Sequence, residues 1–226
     1  MHIGTTTIHA TFEKENGTVY TSDINVTVKK ADESENIVPI KSMNTYDSLK
    51  DSERKSIDED HNYMITQNEM DKVKEINLSD ELENDDFAGL DYARNCEEFY
   101  FSAWDIDYNK ELLLNLLKSM KNLKTLSLNC TNFTQEQYDQ IFEGNDWNQL
   151  ESLSLYSENI QNIECIKNLK QLQYLDLSHT NVSDISALEN MTKLKSLQLD
   201  WLREIKDFSV IGKLTDLEEL HLENTN

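Results

Sequence analysis

One order of apolar and polar positions recurs through most of the chain. An apolar residue is followed by two others, a second apolar residue, one other, and a third apolar residue. This phrase begins at seven places: Val73, Cys96, Leu123, Leu150, Leu172, Leu194 and Leu217. The successive starts are 23, 27, 27, 22, 22 and 23 residues apart. A period of this length indicates a stack of similar structural units rather than one irregular core.

Each unit combines a short strand with a returning segment. Leu175-Asp176-Leu177 alternates with period two, which predicts leucines facing inward and polar residues facing outward. The later apolar positions recur about every three residues, as a 3₁₀ segment requires. Since one unit cannot bury its leucines alone, neighbouring units must stack. The sequence therefore predicts an α/β fold: a leucine-rich repeat solenoid with a curved parallel sheet and a convex side of 3₁₀ and α-helical segments.

Two repeats of 27 residues carry extra residues after Ile106 and Phe133. In each, a polar capping residue (Asn109 or Thr134) and an acid in the first turn precede apolar residues at helical spacing. We expect an α-helix on the convex side of both repeats.

The chain before the repeats divides by composition. Alternating β-branched residues on both sides of Glu15-Asn16-Gly17 predict a hairpin, and Thr66 with Glu69 forms a capping-box pattern at a helix start. The predicted boundaries are a β-hairpin over 1–30, a linker over 31–44, a helical N-terminal cap over 45–72, and seven repeats over 73–226, the last of them incomplete. The open strand edge near residue 226 predicts self-association through an uncapped C-terminal end.

The charge of the chain limits its partners. It has 43 acidic and 21 basic residues, a formal net charge of -22. Such a surface repels phosphate backbones, so we expect no nucleic acid and favour a protein partner with a basic surface. No stretch is long and apolar enough to predict membrane insertion. The three cysteines lack metal-ligand spacing, which favours buried or half-buried free thiols.

Two resemblances follow from these segments. Residues 65–78, followed by Phe87-Ala88-Gly89-Leu90-Asp91-Tyr92-Ala93-Arg94-Asn95, resemble the beginning of the repeats in bacterial internalin-like surface proteins. The hairpin over 4–28 resembles the last two strands of bacterial immunoglobulin-like modules. The 27-residue repeats depart from the usual internalin unit. The resemblance implies a non-enzymatic, secreted or cell-surface protein that binds another protein through its concave face. A cytoplasmic leucine-rich scaffold that regulates another protein or enzyme is the alternative.

The candidate contact residues are at the outward positions of the strands, and the position that follows them adds His179 and Trp201. Aromatic side chains there bring a large contact area together with a polar group, as at many binding hot spots. Acidic and histidine side chains beside them favour a basic partner. The predicted partner-binding residues are Tyr100, Tyr156, Tyr174, Asp176, His179, Asp200, Trp201 and His221.

The sequence predicts no catalytic residues, no cofactor and no metal site. The acidic run Asp58-Glu59-Asp60-His61 is interpreted as a solvated surface, with a weak cation site as the alternative. Residues 105–109 resemble the start of a calcium loop, but Lys110 and Leu116 occupy its glycine and bidentate-acid positions. No nucleophile elbow or phosphate loop is present in the sequence.

Overall fold

The computed structural model of the chain describes residues 4–13, 19–28, 36–79, 82–103, 110–130, 132–143 and 146–225. The chain divides into two compact units, Met1–Asn36 and Ile37–Asn226.

The first unit contains two antiparallel strands, β1 (Gly4–Glu13) and β2 (Val19–Val28). Their register pairs Gly4 with Val28 and Glu13 with Val19. The strands occupy the segments in which the sequence alternates. The predicted turn at residues 15–17 lies outside the described residues.

The second unit is built on an eight-stranded sheet. Strands β4 to β10 are parallel and follow chain order, while β3 pairs antiparallel with β4 at one edge. The strands are β3 (Leu49–Lys50), β4 (Glu75–Ser79), β5 (Glu98–Ala103), β6 (Thr125–Cys130), β7 (Ser152–Tyr156), β8 (Tyr174–Asp176), β9 (Ser196–Gln198) and β10 (Glu219–His221). Each repeat contributes one strand, which confirms the predicted leucine-rich repeat solenoid.

One apolar row crosses the parallel strands in register and forms the centre of the core. Its members are Ile76, Phe99, Leu126, Leu153, Leu175, Leu197 and Leu220. The first six are fully buried, whereas Leu220 on the edge strand β10 is 39% exposed. Burial of each leucine against the next repeat is the main source of stability in such a stack.

The connections between strands differ in the way that their lengths predict. The two long repeats contain α3 (Lys110–Ser119) and α4 (Gln135–Phe142), and Thr134 forms a capping box at the start of α4. The shorter repeats return through 3₁₀ segments at Glu164–Ile166, Ser186–Asn190 and Ser209–Lys213. Two further 3₁₀ segments follow β4, at Asn84–Phe87 and Leu90–Tyr92. Helix length therefore follows the number of residues available between strands.

The N-terminal cap is less helical than predicted. Only α1 (Met43–Ser48) and α2 (Gln67–Met70) are helical, although Thr66 and Glu69 do form the predicted capping box at α2. Between them, the Asp51 carboxylate accepts hydrogen bonds from the backbone N–H groups of Glu53 and Lys55. Such side-chain bonds hold a turn and compete with helix formation.

The cap also begins earlier than the sequence indicated. Val38, within the predicted linker, is buried and donates its backbone N–H to the carbonyl oxygen of Ile65 at 2.8 Å. Residues from Ile37 onward therefore belong to the second compact unit. In the described part of the chain, no helix is both long and apolar enough to cross a membrane.

Candidate functional site

The parallel register sorts the outward side chains into rows across the sheet. One row runs from Tyr100 on β5 to His221 on β10, through Ser127, Ser154, Asp176 and Gln198. A second runs from Glu75 on β4 to Glu219, through Glu98, Thr125, Ser152, Tyr174 and Ser196. Side chains in one row lie about one strand spacing apart, roughly 4.8 Å. The concave face is therefore a rigid grid whose chemistry is set by sequence position.

Three aromatic side chains come into contact where β7, β8 and β9 end; we call Tyr156, His179 and Trp201 the aromatic row. The ring centroids of Tyr156 and His179 are 5.2 Å apart, and those of His179 and Trp201 are 5.6 Å apart with a 17° angle between planes. Tyr156 is 40% and Trp201 41% exposed. The row is thus a continuous, solvent-facing aromatic surface across three repeats.

The turns after β8 and β9 give the row its geometry. His179 and Trp201 have left-handed backbone φ angles of 59° and 66°. Their backbone N–H groups donate to the carbonyl oxygens of Asp200 and Glu223 in the next repeat, at 3.0 and 2.9 Å. Left-handed φ is costly for residues with a Cβ and persists where surrounding bonds fix it. Both rings are therefore held at the pitch of the repeats.

The aromatic row borders a cavity of about 290 Å³. Arg203 lies over the Trp201 ring, with its guanidinium carbon 5.4 Å from the centroid. Further lining residues include Glu158, Thr180, Asn181 and Glu204. Aromatic, cationic and anionic groups thus meet at one edge of the concave face.

The acidic members of the predicted site also stabilise the backbone. The Asp176 carboxylate accepts the N–H of Ser178 at 2.8 Å, and the Asp200 carboxylate accepts the N–H of Glu223 at 2.5 Å. Both residues are half-buried, whereas His221 is exposed. Asp176 and Asp200 therefore contribute negative charge to the face and hold the turns that follow β8 and β10.

Tyr100 lies apart from the other predicted residues. Its hydroxyl donates to the Glu98 carboxylate at 2.8 Å, and Arg54 from the cap pairs with Glu75 at 2.8 Å. Burial, and then the bond to Glu98, raise the pKa of Tyr100 to about 12. The structure therefore joins Tyr156, His179 and Trp201 in one contact row and places Tyr100 in a separate network near the cap.

The cap contains a cluster of oxygen ligands at the acidic run for which the sequence left a weak cation site as the alternative. Carboxylate oxygens of Asp58, Asp60 and Glu69 lie within 4.8 Å of one another. With Asn62, these residues stand at positions 1, 3, 5 and 12 of a twelve-residue stretch, which is the ligand order of a calcium loop. Position 6, usually glycine, is Tyr63, whose φ of 60° adopts the left-handed turn. Hard oxygen ligands in this order can hold a calcium ion.

The signal for this loop was in the sequence. The acidic run itself ends at His61, and Asn62 and Glu69 beyond it complete the spacing of a calcium loop. In the structure Asp58 is buried and accepts the N–H groups of Asn62 and Tyr63, and Glu69 accepts the N–H of Thr66. The calcium-like start at residues 105–109 lies outside the described residues.

The three cysteines are free, with Cys96 and Cys130 buried and Cys165 half-buried. Burial raises the pKa of each thiol to about 12. A nucleophilic cysteine needs the opposite shift, so these thiols are structural groups.

No protein-family model matches the sequence, and a search of curated proteins gives no match. Among solved structures, the fold is similar to internalin C2 from Listeria monocytogenes, with a TM-score of 0.49 and 23% identity over 72% of this chain and 76% of that one. It is also similar to the functional domain of InlJ from Listeria monocytogenes, with a TM-score of 0.49 and 13% identity over 72% of this chain and 33% of that one. A further match is the TLR13–ssRNA13 complex, with a TM-score of 0.46 and 18% identity over 70% of this chain and 26% of that one.

Two of these three structures are internalins, the class that the sequence resembles, and the likeness is one of fold. The chain spans about a third of the InlJ chain and about a quarter of the TLR13 chain.

Proposed function

We propose that this chain is a non-enzymatic leucine-rich repeat module that binds another protein through its concave face. The observation that carries the proposal is the aromatic row, in which three contacting rings from three successive repeats face solvent. Large aromatic side chains on a rigid surface lose little conformational entropy on binding and dominate many interfaces.

The charge of the face supports a protein partner with basic groups. Asp176, Asp200, Glu219 and Glu223 lie on or just after the strands beside the aromatic row, where Arg203 is the cation over Trp201, and the whole chain carries a net charge of -22. Opposite charges would steer a basic partner to this face, and the attraction would weaken as salt rises. We propose no role in nucleic-acid binding, because the same charges repel phosphates.

We further propose that the module acts in a secreted or cell-surface protein of a bacterium. The sequence resemblance of residues 65–78 and 87–95 to internalin-like repeats supports this location. The alternative is an intracellular scaffold that regulates another protein or enzyme. Detection of the protein in the culture medium or on intact cells, as against the cell lysate, separates the two.

The binding surface can be tested by affinity capture from bacterial and host extracts. The bait is the full chain, compared with the triple variant Tyr156→Ala, His179→Ala, Trp201→Ala. A matched control is Leu112→Ala on α3, because Leu112 is 39% exposed, close to the exposure of Tyr156 and Trp201, but lies outside the strands. Circular dichroism of each bait establishes that the fold is retained.

We expect a protein that the wild type and Leu112→Ala retain and the triple variant loses. Retention by all three baits would exclude the aromatic row as the binding surface. Loss with Leu112→Ala alone would move the interface to the convex side.

A further inference from the structure

The strands beside the aromatic row carry a second group of outward side chains with a different chemistry. Tyr174 on β8, Ser196 on β9 and Glu219 on β10 are register partners in one row. Asp176 lies two residues along β8 from Tyr174. Three neighbouring strands thus carry an aromatic ring, a hydroxyl and two carboxylates at outward positions.

Ser196 is only 9% exposed, and its hydroxyl oxygen is buried. This hydroxyl has no hydrogen-bond partner within the described part of the protein. A buried hydroxyl without a partner is destabilising relative to an apolar side chain of the same shape. Its neighbours in the row, Tyr174 and Glu219, are half-buried and exposed respectively. This hydroxyl is therefore an acceptor that a donor from a partner can satisfy.

The charged outward side chains on the strands around Ser196 are negative. Among the described residues, Glu219 forms no ion pair, and the outward positions of β7 to β10 contain no lysine or arginine. Their acids are Asp176 and Glu219, followed by Asp200 and Glu223 at the strand ends. At the other end of the sheet, by contrast, Arg54 neutralises Glu75. The outward positions of the four C-terminal strands are therefore acidic, and the nearby cations lie outside them, at Lys195 and at Arg203 over Trp201.

We infer that Tyr174, Ser196 and Glu219 form a subsite for an arginine side chain of the protein partner. A guanidinium is planar, so it stacks on the Tyr174 ring while its N–H groups donate to the Glu219 carboxylate and the Ser196 hydroxyl. Asp176 adds a second negative charge beside it. A lysine ammonium offers the charge without the planar, forked geometry and fits this set less well.

This inference rests on the proposed function, because it assigns the partner's chemistry on the same concave face. The probe is the peptide acetyl-Gly-Arg-Gly-amide, titrated into the isotope-labelled full chain and followed by backbone amide shifts. In a second peptide lysine replaces the arginine, which keeps the charge and removes the planar guanidinium, so it tests geometry. In a third peptide citrulline replaces the arginine, which keeps the shape and removes the charge, so it tests electrostatics. Glu219→Gln is the test variant and Glu136→Gln, an exposed acid on α4, is its matched control.

We expect saturable shifts centred on residues 174, 196 and 219 with the arginine peptide, smaller shifts with lysine and none with citrulline. Affinity should fall about tenfold or more in Glu219→Gln, as loss of a charge-assisted hydrogen bond predicts, and stay unchanged in Glu136→Gln. Absence of saturable shifts at these residues, equal binding of citrulline, or unchanged affinity in Glu219→Gln would overturn the subsite. If the peptide does not bind at the subsite but affinity capture still depends on the aromatic row, the proposed function stands and the subsite is rejected. If the peptide binds at the subsite but affinity capture does not depend on the aromatic row, the subsite stands and the aromatic row is rejected.

Discussion

The imidazole of His179 and the indole of Trp201 stack at 5.6 Å between centroids, and both residues have left-handed backbone φ angles. They occupy equivalent turns in neighbouring repeats, 22 residues apart. The ring separation is close to the spacing of adjacent strands, about 4.8 Å. The pitch of the solenoid therefore sets the stack, and the stack in turn gives the concave face a fixed aromatic edge.

The left-handed turn at His179 predicts a difference between two small substitutions. Both His179→Gly and His179→Ala remove the ring, but only glycine adopts a φ of 59° without a Cβ penalty. The free energy of unfolding of His179→Gly should exceed that of His179→Ala by about 1 kcal/mol. Urea denaturation followed by far-ultraviolet circular dichroism measures this difference. An alanine variant as stable as the glycine variant would show that the turn is not strained.

Tyr100 should prove dispensable for binding at the aromatic row. Its hydroxyl is bonded to Glu98 in the network near the cap, away from Tyr156. Tyr100→Phe is expected to leave the affinity for a captured partner unchanged within about twofold, and to lower the free energy of unfolding by about 1 kcal/mol through loss of the hydrogen bond. Titration calorimetry and a urea melt measure the two effects. A tenfold loss of affinity would place Tyr100 in the interface.

The ligand spacing at residues 58–69 predicts that calcium stabilises the cap. Calcium at about 1 mM, a concentration at which extracellular calcium modules bind, should raise the melting temperature, because it binds the folded loop and not the unfolded chain. Asp60→Asn keeps the hydrogen-bonding shape of an exposed ligand and removes its charge, so it should reduce the calcium effect. Differential scanning calorimetry with calcium and with a chelator measures both. An identical melting temperature in the two buffers would mean that the loop does not bind the ion.

The buried thiols should be unreactive until the solenoid unfolds. Because burial raises the pKa of Cys96 and Cys130 to about 12, the reactive thiolate is a minor species at pH 8. A thiol reagent such as dithionitrobenzoate should react slowly with the native protein and rapidly with all three cysteines in guanidinium chloride. Rapid reaction of Cys130 in the native state would contradict its position in the core.

Much of the fold follows from the sequence because the leucine spacing has few physical solutions. Two features were predictable. Inward leucines must stack, which sets the register of Leu153, Leu175 and Leu197, and the extra residues of the two long repeats form helices. The extent of helix in the cap was not predictable, because Asp51 and Asp58 accept hydrogen bonds from nearby backbone N–H groups and hold turns within the segment predicted to be helical. Local polar bonds of this kind leave no apolar periodicity, and the signal for the loop at Asp58 is instead the spacing of its oxygen-bearing side chains.

The sequence predicted which residues of the candidate site face outward, but not which of their side chains contact one another. Alternation predicts that Tyr156 faces outward, and Trp201 follows the outward position of Asp200; both side chains are exposed. The ring contacts that His179 makes with Tyr156 and Trp201 depend on left-handed backbone turns at His179 and Trp201. Residues of these types do not favour a left-handed turn, so the sequence does not predict it. The unpartnered hydroxyl of Ser196 likewise depends on its side-chain surroundings, and the sequence showed only a serine in an outward position.

The most direct test of the central claim is site-specific photo-cross-linking. The photoreactive residue p-benzoylphenylalanine replaces Trp201 on the concave face in one preparation and Leu112 on α3 in another, and each is irradiated with the captured partner. If the concave face binds protein, a cross-linked partner forms from position 201 and not from position 112. A cross-link from position 112 alone would contradict the account and place the interface on the helical side.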